Sequence, residues 1–344
     1  MTNVCVCVCG QVSRFQPHHL LPLIARNINF SFVFFFYLQA NTHKNPIYNS
    51  GSAFTAPQLF QASSYAAMSQ DEISGAVQDL LKSNNSRVES VRLLPQHNRS
   101  FWENNDNMGG RLDRIFTMSR IQESILNMYM NQVECASAVK LWIGSAPNTS
   151  TPAYFISMRE DIYFFHPPSL SDLTTNYLNT NSCSLVVKDC LAWGGVSMRF
   201  QLYHFQFGVK VLAERLSFYR SLYSRSWSAS IDRGKKQMDW SCFNMPDKWK
   251  YHILGLSWDD NSTFPNNPEC FEMLQNLASG LKICQVPIAE LPAAPARIIS
   301  GSKFCFIDEE IQDFQGHACY PASDEAFVKN SSCRHAHAGR LLLR

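Results

Sequence analysis

The chain has 344 residues, a formal net charge of +2 and 17% charged residues. Its near-neutral charge argues against a protein that binds nucleic acid through bulk electrostatic attraction. The charged fraction lies below the roughly 25% of a typical soluble domain, and aromatic residues make up 12%. This combination favours a surface that is partly covered by a partner.

The first 67 residues have the composition of a leader rather than of a folded domain. Valine and cysteine alternate over residues 4–9, and a nearly continuous apolar run covers residues 30–38. Basic residues precede this run and Ala40 follows it, which is the layout of a signal peptide. The run is too short to span a bilayer, for which a helix needs about 20 apolar residues. The sequence therefore predicts a low-complexity or targeting leader over residues 1–67, disordered or not native, and dispensable for folding.

The alternative is that this leader is real and sends the chain into the secretory pathway. Asparagines that begin an Asn-x-Ser/Thr sequon are in modest excess, as is typical of secreted proteins. They are Asn29, Asn84, Asn98, Asn148, Asn261 and Asn330.

A helix start at Met68 predicts the beginning of a single globular domain over residues 68–315, followed by a tail over residues 316–344. Ser69 can accept a hydrogen bond from the backbone of Glu72, and Glu72 can reach back to Ser69, which together form a capping box. Apolar spacing predicts one helix here and a longer one over residues 112–141, joined by a polar loop. The domain is thus expected to open with a pair of helices.

In the middle of the domain, the sequence predicts several strands that follow one another along the chain with few helices between them. A helix over residues 209–227 follows them, with Leu212, Leu216 and Tyr219 on its apolar stripe and Arg215 off that stripe. The predicted strands cover residues 153–158, 162–165, 184–187, 196–207, 251–258 and 304–307, and further helices cover residues 169–178 and 268–281. Grouped strands favour an α+β fold with a mixed, mostly antiparallel sheet packed against several helices.

Twelve cysteines are present, and none of them forms a close C-x-x-C pair. Zinc sites are built from such close pairs, so the spacing predicts no metal site. Nine of the twelve lie beyond residue 67, and an odd number cannot pair completely within that part of the chain. The sequence therefore favours reduced, partly buried thiols.

Four patterns that could carry chemistry are incomplete. Gly255–Asp259 resembles half of a serine-hydrolase elbow, and Gly144-Ser145 with Glu160-Asp161 resembles part of a nucleotidyltransferase site. In the second pattern the two carboxylates are adjacent, so on a strand they would point to opposite faces. Two histidine and cysteine groups near the carboxyl terminus predict only opportunistic metal binding. They are His335 with His337 beside Cys333, and His317 with Cys319. No catalytic residue and no cofactor is predicted.

A basic and aromatic cluster gives the candidate binding site. Cations beside aromatic rings can bind an acidic protein or, with weaker support here, a nucleic acid. The cluster consists of Arg220, Arg225, Trp227, Lys235 and Lys236. We therefore expect a non-catalytic intracellular protein-interaction subunit or adaptor of a larger assembly, in the cytoplasm or nucleus and without a transmembrane segment. The alternative is a secreted or lumenal N-glycosylated protein, with hydrolase activity as one form of it.

Overall fold

A computed structural model describes most of the first 300 residues. The described ranges are 1–40, 62–82, 85–98, 101–102, 120–145, 151–164, 166–180, 182–188, 198–231, 268–287, 290–291, 293–300 and 303–306. The predicted strand over residues 251–258, the serine-hydrolase pattern, the two histidine–cysteine pairs and the tail lie outside these ranges.

The two apolar runs of the predicted leader are long parallel strands. Strand β1 covers Thr2–Gln11 and β2 covers Phe30–Gln39. They pair in parallel over their whole length, from Thr2 opposite Phe30 to Gln11 opposite Gln39. Both faces of each strand are buried, and such strands have continuous apolar sequences rather than alternating ones. Residues 2–39 therefore belong to the folded body, and the predicted disordered leader is wrong for this segment.

These strands lie within a seven-stranded, mostly parallel sheet in the described part of the chain. The order is β3-β2-β1-β4-β7-β6-β8, and β7 alone runs antiparallel to its neighbours. The other strands are β3 (Ser86–Leu94), β4 (Tyr154–Arg159), β6 (Leu185–Lys188), β7 (Phe200–His204) and β8 (Ile283–Val286). A smaller sheet joins β5 (Ile162–Phe164), β9 (Ala293–Ser300) and β10 (Lys303–Phe306).

The predicted α+β fold with a mostly antiparallel sheet is therefore wrong. The prediction left β1 and β2 out of the domain, and the strands that remain follow one another in groups along the chain. With β1 and β2 included, strands alternate with helices along the chain, as the crossovers of a parallel sheet require. The predicted N-terminal helical pair is also wrong, because β3 lies between its two helices, within the segment expected to be a loop.

Helices cover both faces of the large sheet. They are α1 (Leu21–Arg26), α2 (Gln70–Leu81), α3 (Arg120–Ser145), α4 (Leu170–Leu173), α5 (Phe205–Ile231) and α6 (Pro268–Ala278). One core lies between the sheet and α1, α2 and α4, and a second lies between the sheet and α3, α5 and α6. The alternation of β1 divides its side chains between them: Val4, Val6 and Val8 enter the first core, and the cysteines between and after them enter the second.

Local predictions based on caps and periodicity are confirmed in two helices. The capping box of Ser69 and Glu72 begins α2. On α5, the predicted apolar stripe is buried at Leu212, Leu216 and Tyr219. Arg215, predicted to lie off that stripe, is nevertheless only 1% exposed.

Two disulfides link distant parts of the chain, which contradicts the prediction of reduced thiols. Cys7 on β1 bonds to Cys135 on α3, and Cys183 bonds to Cys284 on β8. The partner of Cys135 lies within the predicted leader, so counting only the cysteines beyond residue 67 hid the pairing. Cys5 and Cys9 are free and buried.

Candidate active site

Polar residues gather at one edge of the large sheet, where its parallel strands end. From β1 the chain continues to β2 and β3 on one side, whereas β4 pairs with the other side of β1. The carboxyl ends of β1 and β4 thus form the point at which the strand order reverses direction. In open α/β sheets, ligands bind in the crevice outside the carboxyl ends of the strands at such a point.

A buried carboxylate occupies the centre of this edge. Glu160 directly follows β4, its backbone N–H donates to the carbonyl of Cys9, and its side chain is fully buried. The carboxylate lies against Gly10, at the end of β1, in the space that a Cβ atom would fill. Gly10 also has a φ of +152°, a conformation that favours glycine. A side chain at position 10 would therefore occupy the same space as the Glu160 carboxylate.

Two arginines neutralise the carboxylates at this edge. Arg14 contacts Glu160 at 2.5 Å and Asp161 at 4.0 Å, and Arg159 contacts Asp161 at 2.9 Å. The carboxylate side chains are 0% exposed, whereas Arg14 and Arg159 retain 20% and 16% exposure. The guanidinium groups are thus the part of this cluster that solvent or a ligand can reach.

Two further cations lie at the same edge. The carbonyl of Arg199 accepts a hydrogen bond from the backbone N–H of Arg159. Lys188 ends the neighbouring strand β6, and its ammonium group donates to the carbonyl of Ala293 at 2.5 Å. Lys188 and Arg199 are buried, so Arg14 and Arg159 are the cations of this edge that an anionic ligand could reach.

A buried histidine lies beside the carboxylates. The His19 ring packs edge-on against Tyr163 with ring centroids 4.9 Å apart, and against His18 at 4.3 Å. Burial and, to a lesser extent, the neighbouring His18 lower the pKa of His19 to about 3, against the opposing effects of a hydrogen bond with the backbone of Ile162 and of the Asp161 carboxylate. The ring is therefore neutral at physiological pH and adds no charge to the edge.

A second buried polar cluster lies on the face of the sheet covered by α3, α5 and α6. Arg215 of α5 contacts Glu272 of α6 at 2.7 Å, and Gln201 of β7 donates to the same carboxylate at 2.5 Å. Burial raises the pKa of Glu272, whereas the adjacent Arg215 lowers it. Gln132 and Gln275 accept hydrogen bonds from the guanidinium group. Their side chains satisfy a buried cation that would otherwise destabilise the core.

The residues predicted to bind a partner lie outside the part of the chain whose side chains the structure describes. Arg220, Arg225 and Trp227 belong to α5, but their side chains lie outside the description, as do Lys235 and Lys236 altogether. A protein or nucleic-acid partner for this cluster stays a prediction.

The structure separates the two halves of the nucleotidyltransferase pattern. Gly144-Ser145 ends α3, near the start of β4, whereas Glu160-Asp161 follows the end of that strand. The two carboxylates were expected on opposite faces because alternation applies within a strand. They lie beyond its last residue, so both approach Arg14.

Sequence reasoning missed Arg14 and Gly10 because it assigned residues 1–67 to a leader, and it missed Arg159 because no motif marked this residue. The signal that could have revealed Arg14 and Gly10 is an apolar run ending in Gly-Gln-Val-Ser-Arg, a strand followed by a turn with polar groups. Within the described ranges, no group of three or more His, Cys, Asp or Glu side chains is placed to hold a metal ion. None of the described helices is long and apolar enough to cross a membrane.

No protein-family model and no curated protein matches the sequence. Among solved structures, mouse xyloside xylosyltransferase 1 in its apo form matches with a TM-score of 0.38 and 7% identity, over 83% of this chain and 85% of that one. The galactosyltransferase LgtC with donor and acceptor sugar analogues matches with a TM-score of 0.30 and 9% identity, over 68% and 67%. An active-site mutant of LgtC matches with a TM-score of 0.31 and 10% identity, over 95% and 94%.

The proteins in these comparisons are named as enzymes that transfer sugars, whereas the sequence analysis expected a non-catalytic adaptor or complex subunit, and that expectation is not carried forward. That prediction rested on missing motifs and low charge, and neither feature reveals a site assembled from separate strand ends.

Proposed function

We propose that this chain is an enzyme that binds a phosphorylated sugar donor at the carboxyl edge of its sheet and transfers the sugar. The observation that carries the proposal is the pair of partly exposed guanidinium groups, Arg14 and Arg159, held by buried carboxylates where β1 and β4 end and the strand order reverses. Sugar transfer is the activity named for the compared proteins, and it supplies the donor class to test first.

Arg14 and Arg159 are the residues proposed to hold the phosphates. An arginine presents several N–H donors in a planar fork that matches phosphate oxygens. Glu160 and Asp161 hold the two guanidinium groups in place, so little side-chain entropy is lost when a ligand binds. Preorganised cations of this kind stabilise negative charge that develops in a transition state.

In the proposed reaction the bond between the sugar C1 and the phosphate oxygen breaks, and C1 forms a bond with an acceptor hydroxyl. The hydroxyl proton leaves to a base, and the electron pair of the broken bond passes to the departing phosphate group. Arg14 and Arg159 would counter the charge of that leaving group.

We propose, independently of sugar transfer, that the chain folds in an oxidising compartment of the secretory pathway. Two disulfides between distant segments are typical of secreted and lumenal proteins and rare in the cytosol. This favours the alternative of the sequence analysis over the cytoplasm or nucleus.

The binding test measures the melting temperature of the full chain with uridine and guanosine diphosphates and with inorganic pyrophosphate. A ligand at a hundred times its Kd adds about 2.7 kcal/mol to the free energy of unfolding, which is readily measured as a shift in Tm. The matching activity test measures release of nucleoside diphosphate from the corresponding nucleotide sugars.

Arg159→Gln is expected to weaken binding of the diphosphate at least tenfold. Lys140→Gln is the matched control, because Lys140 is an exposed cation on α3 and its loss changes the net charge equally. Arg14→Lys retains the charge against Glu160 and serves as a second variant with an intact fold. Equal binding by Arg159→Gln and Lys140→Gln, or no Tm shift with any diphosphate, would refute the proposed site.

A further inference from the structure

The amino edge of the large sheet, opposite the candidate active site, carries an exposed sequon. Asn29 lies in the turn between α1 and β2, and Phe30 and Ser31 complete the Asn-x-Ser pattern. The side chain of Asn29 is exposed, whereas Phe30 is buried and anchors the start of the strand. We propose that Asn29 carries an N-linked oligosaccharide.

The backbone around Asn29 is fixed independently of its side chain. Its carbonyl accepts a hydrogen bond from the N–H of Thr2 at 3.1 Å, and the N–H of Phe30 donates to the carbonyl of Asn27 at 3.0 Å. A sugar attached to the side-chain nitrogen therefore leaves these backbone bonds intact. The turn presents the acceptor to solvent without local unfolding.

The disulfides supply the second, independent observation. Bonds between Cys7 and Cys135 and between Cys183 and Cys284 form in the compartments in which N-glycosylation takes place. The inference thus rests on the proposed compartment, and it does not depend on the proposed sugar transfer.

Exposed apolar side chains surround the proposed attachment point. Ile28 is 65% exposed and Met1 is 82% exposed, and the bond from Thr2 to Asn29 brings both residues close to the sequon. A hydrated oligosaccharide at Asn29 would cover this apolar surface and limit self-association.

The sugar would leave the candidate active site accessible. Asn29 lies beside the first residue of β1, whereas Gly10 and Arg14 lie at and beyond the other end. A strand rises about 3.3 Å per residue, so ten residues place the two edges roughly 30 Å apart. Glycosylation here is compatible with ligand binding at the opposite edge.

The test treats the full chain, purified from its native source, with a peptide N-glycosidase. We expect a lower apparent mass and conversion of Asn29 to aspartate in the peptide that contains it, read by mass spectrometry. Recovery of that peptide with unmodified asparagine before treatment, and no conversion after it, would overturn the proposal.

Two variants, expressed in the cells from which the wild-type chain is purified, distinguish glycosylation at Asn29 from glycosylation at the other sequons. Asn29→Gln should lower the apparent mass by one oligosaccharide and increase aggregation, while donor binding is retained. Asn176→Gln is the matched control, because Asn176 is exposed but begins no sequon, and its mass should not change. An unchanged mass for Asn29→Gln would overturn the inference, whereas loss of sugar transfer in the glycosylated wild type would concern only the proposed function.

Discussion

Removal of the disulfide between Cys7 and Cys135 tests the attachment of α3 to β1, an inner strand of the large sheet. The bond closes a loop of 128 residues. In the chain-entropy model, opening a loop of this length lowers the free energy of unfolding by about 5 kcal/mol. Measured losses for native disulfides span roughly 2–5 kcal/mol, so we expect a loss of about 3–5 kcal/mol.

The assay is urea denaturation of the double variant Cys7→Ala/Cys135→Ala, followed by circular dichroism. Cys5→Ala is the matched control, because Cys5 is buried on the same face of β1 but is not cross-linked. Its loss should destabilise the chain by about 1 kcal/mol through the small cavity alone. Subtracting twice the loss measured for Cys5→Ala from the loss of the double variant gives the contribution of the cross-link.

Reductant provides a second reading of the same bond. Burial raises the pKa of the neighbouring Cys5 and Cys9 thiols, so neither is a ready nucleophile for disulfide exchange. Wild-type protein should therefore keep its pairing without reductant and lose stability with it. A denaturation midpoint that is the same with and without reductant, and the same in both variants, would refute this reasoning.

Four further changes test the packing and the edge of the sheet. Leu216→Ala should destabilise the chain by about 2–5 kcal/mol in urea denaturation, because Leu216 is a buried residue of α5; a loss below this range would contradict its burial. Gly10→Ala should lower stability by about 1–3 kcal/mol, since the new Cβ displaces the Glu160 carboxylate, and a neutral effect on Tm would show that this contact is absent. The pKa of His19 is lowered from 6.5 to about 3, so the unfolded chain binds a proton below pH 6.5 that the folded chain does not. The neutral ring therefore contributes fully to the free energy of unfolding above pH 6.5. Between pH 6.5 and pH 5 this contribution falls by about 2 kcal/mol. His19→Phe should remove that part of the pH dependence, and an unchanged profile would refute the assigned burial. Finally, a chain that lacks residues 1–67 should fail to unfold cooperatively, whereas a melting temperature within a few degrees of the full chain would restore the leader hypothesis.

Some of this protein followed from its sequence because the physical causes are local. The capping box at Ser69 and Glu72 involves two residues three positions apart, and it was confirmed. The stripe of Leu212, Leu216 and Tyr219 follows from helical periodicity over eight residues, and it too was confirmed. Caps and periodicity need no knowledge of what the element packs against.

Other features were decided only by tertiary structure. An apolar run such as 30–38 has the same composition as a signal peptide or a strand buried on both faces, and only its pairing with β1 and β3 distinguishes them. The active-site candidate depends on Arg14 and Glu160, which are far apart in sequence and meet because two parallel strands end side by side. Burial of Arg215 likewise required a carboxylate from another helix. The sequence by itself determined the capped start of α2 and the apolar stripe of α5, whereas strand order, disulfide pairing and the charged edge depend on contacts between distant residues that no local pattern specifies.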